Sequence, residues 1–164
     1  RISTDIAKLL YLGRIKIEKG VFSLIQLLKK SNLNYKLSIV GGNRSYHKNS
    51  KMIFYKQVSD TKKIIKLYDD HNIFILPSFT EGYPMVVLES LARRRPIVIF
   101  EDIKHIITNQ KGIFVSKRTF VSLFGTLNYI KKNYNKIQKE LRKNELPTKS
   151  QFIENLSKLI SNTS

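Results

Sequence analysis

Two carboxylates eight positions apart are the first candidates for chemistry: Glu81, in Phe79-Thr80-Glu81-Gly82-Tyr83-Pro84, and Glu89, in Met85-Val86-Val87-Leu88-Glu89-Ser90. An apolar run at residues 73–76 leads through Pro77-Ser78 into that turn, and Pro84 suits the start of an amphipathic helix. A strand, a glycine-bearing turn and a helix N-terminus together form an anion site, because the first helical N–H groups lack partners and the dipole favours negative charge. Two carboxylates flanking that site do not suit a bare phosphate. They suit a ligand that also carries hydroxyl donors, as a nucleotide sugar does. Eight helical residues rise about 12 Å, too far for the close carboxylate pair of a retaining glycosidase. Taken singly, each glutamate also reads as solvated, Glu81 in a turn and Glu89 on an exposed helical position.

A second candidate cluster is Gly13-Arg14-Ile15-Lys16-Ile17-Glu18-Lys19-Gly20. Arg14 leaves a strand end and Lys19 stands just before a helix, so both are placed to grip a diphosphate, one as a planar fork and one as a point charge. The alternative is two solvated cations on a basic protein. Gly20 is followed by Val21 rather than Lys-Ser/Thr, so this is no P-loop, and no Gly-x-Gly-x-x-Gly supports NAD. No Asp-x-Asp occurs; Asp69-Asp70 are adjacent and are expected to cap a helix end. His47, His71 and His105 lack ligand spacing and are expected on the surface or in packing roles. No metal and no cofactor are expected.

The elements that must carry these residues are readable from hydrophobic period. Short apolar runs at 9–13, 37–40, 52–55, 73–76, 97–100 and 113–115 read as about six strands. Apolar positions 21, 24, 25 and 28 mark a helix ending at Lys29-Lys30. Ser59 reads as an N-cap, with Asp60 in the first turn of a helix through Tyr68. A helix over 84–93 follows Pro84, then helices at 120–143 and 149–160; residues 43–51 read as an exposed polar loop. Strands that are continuous apolar runs alternate with helices, which predicts an α/β fold: a Rossmann-like doubly wound parallel sheet with C-terminal helices. Ligands of such folds bind beyond the carboxyl ends of the strands, where Gly13-Arg14, Gly41-Gly42 and residues 78–81 all fall.

The chain has 164 residues, enough for one domain spanning 1–164, and 41% apolar content supports a real core. Without cysteine it holds no disulfide and no Cys-ligated zinc, which is compatible with a cytoplasmic setting. No apolar run approaches a membrane span. The chain starts at Arg1 without a signal peptide, and is expected to be a fragment or one domain of a longer protein. The net charge of +18 attracts polyanions, but each half holds 15 Lys/Arg and 6 Asp/Glu, so no basic tail stands against a neutral body. Compositional bias toward lysine is the competing explanation of that charge.

In combination the pieces resemble the C-terminal, donor-binding domain of GT-B glycosyltransferases, most similar to family 4, the group 1 type. The matching residues are Gly13-Arg14 with Glu18-Lys19-Gly20-Val21, Leu37-Ser38-Ile39-Val40-Gly41, Leu76-Pro77-Ser78, Glu81-Gly82-Tyr83-Pro84 with Glu89 (the family's E-x7-E), and Pro96-Ile97-Val98. They stand in the family's order over nearly the whole chain. The resemblance implies one half of a GT-B architecture and transfer, with retention and without metal, of a sugar from a nucleotide-diphosphate sugar. It implies that Arg14 and Lys19 hold the diphosphate, that Glu81 contacts the sugar and that Glu89 contacts the ribose. Gly13, Gly41 and the amides of Gly82, Tyr83, Met85 and Val86 would line the same donor, with the base near residues 55–57. Arg14, Lys19 and Glu81 would be the catalytic set, stabilising leaving group and sugar. The partner would be an N-terminal acceptor-binding domain, without which the chain is expected to transfer nothing. An envelope polysaccharide is the implied product class, and a cytoplasmic enzyme with peripheral contact to an anionic membrane the implied setting.

Two departures from the family stand out. Arg93-Arg94-Arg95 replaces a small residue and a glycine, and is expected to be solvated; residues 100–105 are shorter than the family's glycine-bearing loop there. Two rival readings remain at this level: a basic Rossmann-like module for polyanions or membranes, and a GT-B nucleotide-sugar epimerase. Nucleic acid is disfavoured, because no recognition motif accompanies the charge.

Overall fold

The computed structural model describes residues 6–30, 33–43, 45–146 and Gln151. The strands are β1 (Ala7–Leu12), β2 (Tyr35–Gly42), β3 (Tyr46–Asn49), β4 (Met52–Lys56), β5 (Ile73–Leu76), β6 (Ile97–Phe100) and β7 (Ile113–Ser116). The helices are α1 (Val21–Lys29), α2 (Thr61–Asp70), α3 (Met85–Ala92), α4 (Phe120–Lys132) and α5 (Tyr134–Leu141). One sheet runs in the order β3-β4-β2-β1-β5-β6-β7. Every pairing is parallel except β3 with β4. The six predicted strands are thus the six parallel ones.

The apolar runs explain this arrangement. All four residues of β5 and all four of β6 are buried, so both faces of the central sheet are covered. The chain steps outward from β1 to β2 through α1, then back from β4 to β5 through α2, and onward to β6 through α3. Right-handed crossovers therefore place α1 on one face and α2 and α3 on the other. On the first face α1 meets α4 in a cluster of Leu27, Leu28, Leu33, Phe120, Leu123, Phe124 and Leu127. The order reverses between β1 and β5, which makes the crevice above their carboxyl ends the expected ligand site.

Several local expectations need correction. Residues 43–51 contain β3, an antiparallel edge strand paired through Tyr46↔Phe54 and His47↔Ile53. An edge strand held by backbone pairing needs no apolar period, which is why a polar sequence concealed it. Asp60, not Ser59, caps α2: its carboxylate accepts from the Lys63 N–H at 2.8 Å. The long helix expected at 120–143 breaks at Asn133, whose side chain donates to the Tyr129 carbonyl. Tyr134 then turns inward and donates to the Asn72 carbonyl at 3.0 Å. The expected helix at 149–160 lies, apart from Gln151, outside the described residues.

The arginine run is the largest correction. Arg93 clasps Asp69 through two hydrogen bonds, at 3.0 and 2.6 Å. Arg95, only 13% exposed, donates to the Tyr68 and Asp69 carbonyls at the end of α2. Two of the three cations therefore tie α2 to the end of α3; Arg93 and Arg94 stay exposed, as expected, and Arg95 is the one withdrawn from water. Asp69 is their anchor rather than a helix cap, and Asp70 pairs with Lys66. Arg94 takes a left-handed conformation, φ 54°, where the resembled family has a small residue or glycine.

Candidate functional site

The carboxyl ends of the strands meet in a small space because two glycines allow it. A Cβ on Gly41 would fall 1.9 Å from the Gly13 carbonyl oxygen, so the ends of β1 and β2 can touch only if residue 41 has no side chain. Gly20, at φ 64°, brings the start of α1 against the loop after β5; a Cβ there would lie 1.9 Å from the Pro77 carbonyl oxygen. The buried Tyr11 hydroxyl donates to the Arg14 carbonyl at 2.7 Å and sets the path of the loop after β1. Burial, followed by the nearby Glu81 and Glu18 carboxylates, pushes its pKa well above the ordinary phenol value, so it stays a donor.

A cleft of about 240 Å³ opens above this junction, lined by Leu12, Gly13, Arg14, Val40, Gly41, Gln57, Val58, Ile64, Val86 and Glu89. Its walls are apolar, with Arg14 and Glu89 as its charges. A wider recess of about 450 Å³ shares Arg14, Gly41 and Gln57 with it and continues past Lys16 and Asn43. Residues 55–57, expected near a base, thus reach the cleft through Gln57, just after β4.

Glu89 stands on the second turn of α3 and is exposed. Its carboxylate accepts from the Tyr68 hydroxyl at 2.9 Å. Tyr68 is itself fully buried on α2, and burial together with the Glu89 charge holds its hydroxyl protonated. Arg95 donates to the Tyr68 carbonyl. A chain of contacts from Arg95 through Tyr68 therefore aims Glu89 into the cleft.

Glu81 lies in a different setting. Its side chain is 11% exposed and accepts from Lys19 Nζ at 2.7 Å and from the buried Ser78 hydroxyl at 2.6 Å, both on Oε1. His105 Nε2–H donates to the Glu81 carbonyl at 2.9 Å, and the Phe79 N–H donates to the Glu18 carbonyl at 2.9 Å. The loop after β5 is thus locked against the loop after β1. Gly82, Tyr83 and Met85 are exposed in the following turn, and Pro84 offers α3 no side-chain cap. The Val87 N–H already donates to the Pro84 carbonyl at 3.0 Å, so the Met85 and Val86 N–H groups are the first-turn donors at this uncapped end, an arrangement that favours an anion.

The sequence-derived residues accordingly fall into two groups. Gly13, Arg14, Gly41, Val86 and Glu89 line one cleft; Lys19 and Glu81 form a pair beside it, with Gly82, Tyr83 and Met85 leading from that pair into α3. Sequence reasoning missed Tyr68 and gave His105 only a surface or packing role, because both reach their partners across more than twenty positions. Ser78 was placed on the ligand rim by its sequence position, and its hydroxyl bond to Glu81, three residues on, gives it a specific partner. Of the other histidines, His71 fills the packing role expected: Nδ1–H donates to the Leu67 carbonyl and Nε2 accepts from Ser38, while burial lowers its pKa. Among the described residues no three His, Asp or Glu side chains gather as metal ligands would, and no helix is long and apolar enough to cross a membrane.

Comparison with known proteins identifies the family and the fold. The family model of glycosyl transferases group 1 matches residues 1–147. The capsular polysaccharide biosynthesis glycosyltransferase CapM of Staphylococcus aureus is 27% identical over 130 residues, covering 69% of this chain and 33% of CapM. Sucrose-phosphate synthase from Thermosynechococcus elongatus superposes with a TM-score of 0.68 at 17% identity, covering 99% of this chain and 47% of that one. Anabaena HepE in complex with UDP-glucose gives 0.67 at 13% identity, covering 84% of this chain and 43% of that one. The chain thus spans about a third of the length of CapM and about half of these solved structures. It belongs to the group 1 glycosyl transferases, and its fold is that of one half of a GT-B enzyme.

Proposed function

We propose that this member of the group 1 glycosyl transferases is the donor-binding half of an enzyme that moves a sugar from a nucleoside-diphosphate sugar to an acceptor. The observation that carries the reading is the division of the site. A Lys19–Glu81 pair lies in the loops ahead of the uncapped start of α3, and a cleft with Arg14 and Glu89 opens beside the following part of that helix, where Val86 and Glu89 line it. In this reading Glu89 accepts from the ribose diol, and Gln57 and Val58 border the base. Arg14, Lys19 and the first amides of α3 meet the diphosphate, and Glu81 accepts from sugar hydroxyls.

As the bond from the anomeric carbon to the diphosphate oxygen breaks, negative charge grows on the leaving group and the sugar gains oxocarbenium character. Cations and amides already in place stabilise that charge without reorganisation; removing one such group costs about 3 kcal/mol of barrier lowering. Arg14, Lys19 and the helix start supply positive charge, so the proposed reaction runs without a divalent metal. Glu81 is held by Lys19 and Ser78, which makes it a positioning and electrostatic group rather than a nucleophile. Retention at the anomeric carbon is the outcome the family resemblance implies. The acceptor site is assigned to an N-terminal domain, the product to an envelope polysaccharide like CapM's, and the setting to the cytoplasm, with peripheral contact to the membrane.

Isothermal titration of the folded chain with UDP, GDP and ADP tests the reading. The expected result is millimolar or tighter binding of at least one. Absence of heat for all three at millimolar concentration contradicts it.

A further inference from the structure

We infer that Arg118 is a positioning residue for the sugar side of the site, the staple that fixes the loop carrying Glu81. It leaves the short connection between β7 and α4, forty positions from the loop it serves. Its guanidinium donates from Nη1 to the Pro77 carbonyl at 3.0 Å and from Nη2 to the Ser78 carbonyl at 3.2 Å. The same group pairs with Asp102, at 2.7 Å from Nη2 and 3.2 Å from Nε. Its flat face lies 3.9 Å from the Phe79 ring centroid, and the Phe100 ring centroid is 4.4 Å away. One side chain thus touches both first carbonyls of the loop, the ring next to them, the end of β6 and the turn after it.

The geometry calls for arginine specifically. A planar fork can give two carbonyls and a carboxylate separate N–H groups while stacking between rings; a lysine ammonium cannot do both. Pro77 is the residue against which Gly20 packs, and Arg118 Nη1 lies 3.4 Å from where a Gly20 Cβ would stand. Ser78, whose carbonyl Arg118 holds, donates its hydroxyl to Glu81. The staple therefore acts on Glu81 through one intervening residue, and it has no atom among the residues lining the cleft of Arg14 and Glu89.

The inference rests on the donor-site reading for its consequence, but its physical content is independent of any ligand. The test uses the full-length protein as wild type, Arg118→Met and Arg118→Lys, with two readouts. In the ligand-free proteins, hydrogen exchange should accelerate about tenfold or more at the amides of residues 78–83 in both variants, with the amides of β1 and β2 unchanged, since the lost bonds involve a charged donor. Titration with UDP, GDP and ADP and with their glucose derivatives should show nucleotide affinity kept, while the extra affinity conferred by the glucose falls about tenfold. Unchanged exchange in the loop overturns the staple. So does glucose-dependent affinity that survives in both variants. If Arg118→Met fails to fold, Arg118→Lys, which keeps the charge beside Asp102, decides. Should wild type take up none of the six ligands, the donor reading falls, while the exchange result still upholds or overturns the staple.

Discussion

Glu81 and Glu89 sit at the two ends of one motif, yet their surroundings are opposite. Glu81 is nearly out of water, with a cation, a hydroxyl and a neighbouring imidazole already engaging it or its backbone. Glu89 is exposed and, among the described residues, meets a single neutral donor, the Tyr68 hydroxyl. A carboxylate already matched by a cation spends little on reorganisation when charge develops beside it. An exposed carboxylate with free lone pairs is suited to picking up a diol from solvent. The contrast teaches that the E-x7-E spacing delivers two unlike tools, one preset and one waiting, and that the elements behind them make the difference.

The comparison breaks most severely at Gly20. Replacing it with Ala places a Cβ 1.9 Å from the Pro77 carbonyl oxygen in a left-handed conformation. The expected cost is about 3 kcal/mol or more, read by chemical denaturation. Gly82→Ala, at a position where a Cβ meets nothing within 4 Å, is the matched control and should shift stability by no more than about 0.5 kcal/mol. Next comes Glu81→Ala, which strands Lys19 in a half-buried place. A loss of about 2 kcal/mol is expected, between the cost at an exposed pair and that at a fully buried one. A change as small as that of Glu89→Ala would erase the proposed asymmetry.

On the other side, Tyr68→Phe removes the hydroxyl that donates to Glu89 and should cost about 1 kcal/mol of stability, with nucleotide affinity lowered several-fold. Smallest is Asp69→Asn, which loosens Arg93 and Arg95 behind Tyr68 and should cost about 0.5 kcal/mol at neutral pH, as exposed pairs do. The Arg93 guanidinium, through its hydrogen bonds, lowers the Asp69 pKa below its unfolded value. Its contribution is therefore present above the unfolded carboxylate pKa and lost as pH falls through the lower folded one. Wild type and Asp69→Asn should converge in thermal stability on acidification below about pH 4.

Much of the fold was legible because buried parallel strands announce themselves as unbroken apolar runs, as at residues 73–76 and 97–100. β3 escaped because edge pairing with β4 uses backbone groups and leaves no period. The ends of the site were legible where the signal is local: Glu81 and Glu89 by spacing, Arg14 and Lys19 by their place at a strand end and before a helix. Tyr68, His105 and Arg118 were not, because each reaches its partner across more than twenty positions. The arginine run was misread for the same reason. Three consecutive cations look solvated until Asp69, on another helix, turns out to anchor two of them, Arg93 and Arg95.

The central claim is that Glu81 serves the sugar and Glu89 the nucleotide, and it makes a prediction of sign. UDP, GDP and ADP, each alone and as the glucose derivative, should be titrated into wild type, Glu81→Ala and Glu89→Ala. Removing Glu89 should weaken the bare nucleotide and its sugar form together. Removing Glu81 frees Lys19 for phosphate, so bare-nucleotide affinity should hold or rise while the increment added by glucose disappears. Glu81→Ala weakening the bare nucleotide as much as Glu89→Ala, or neither change altering any titration, would contradict the account.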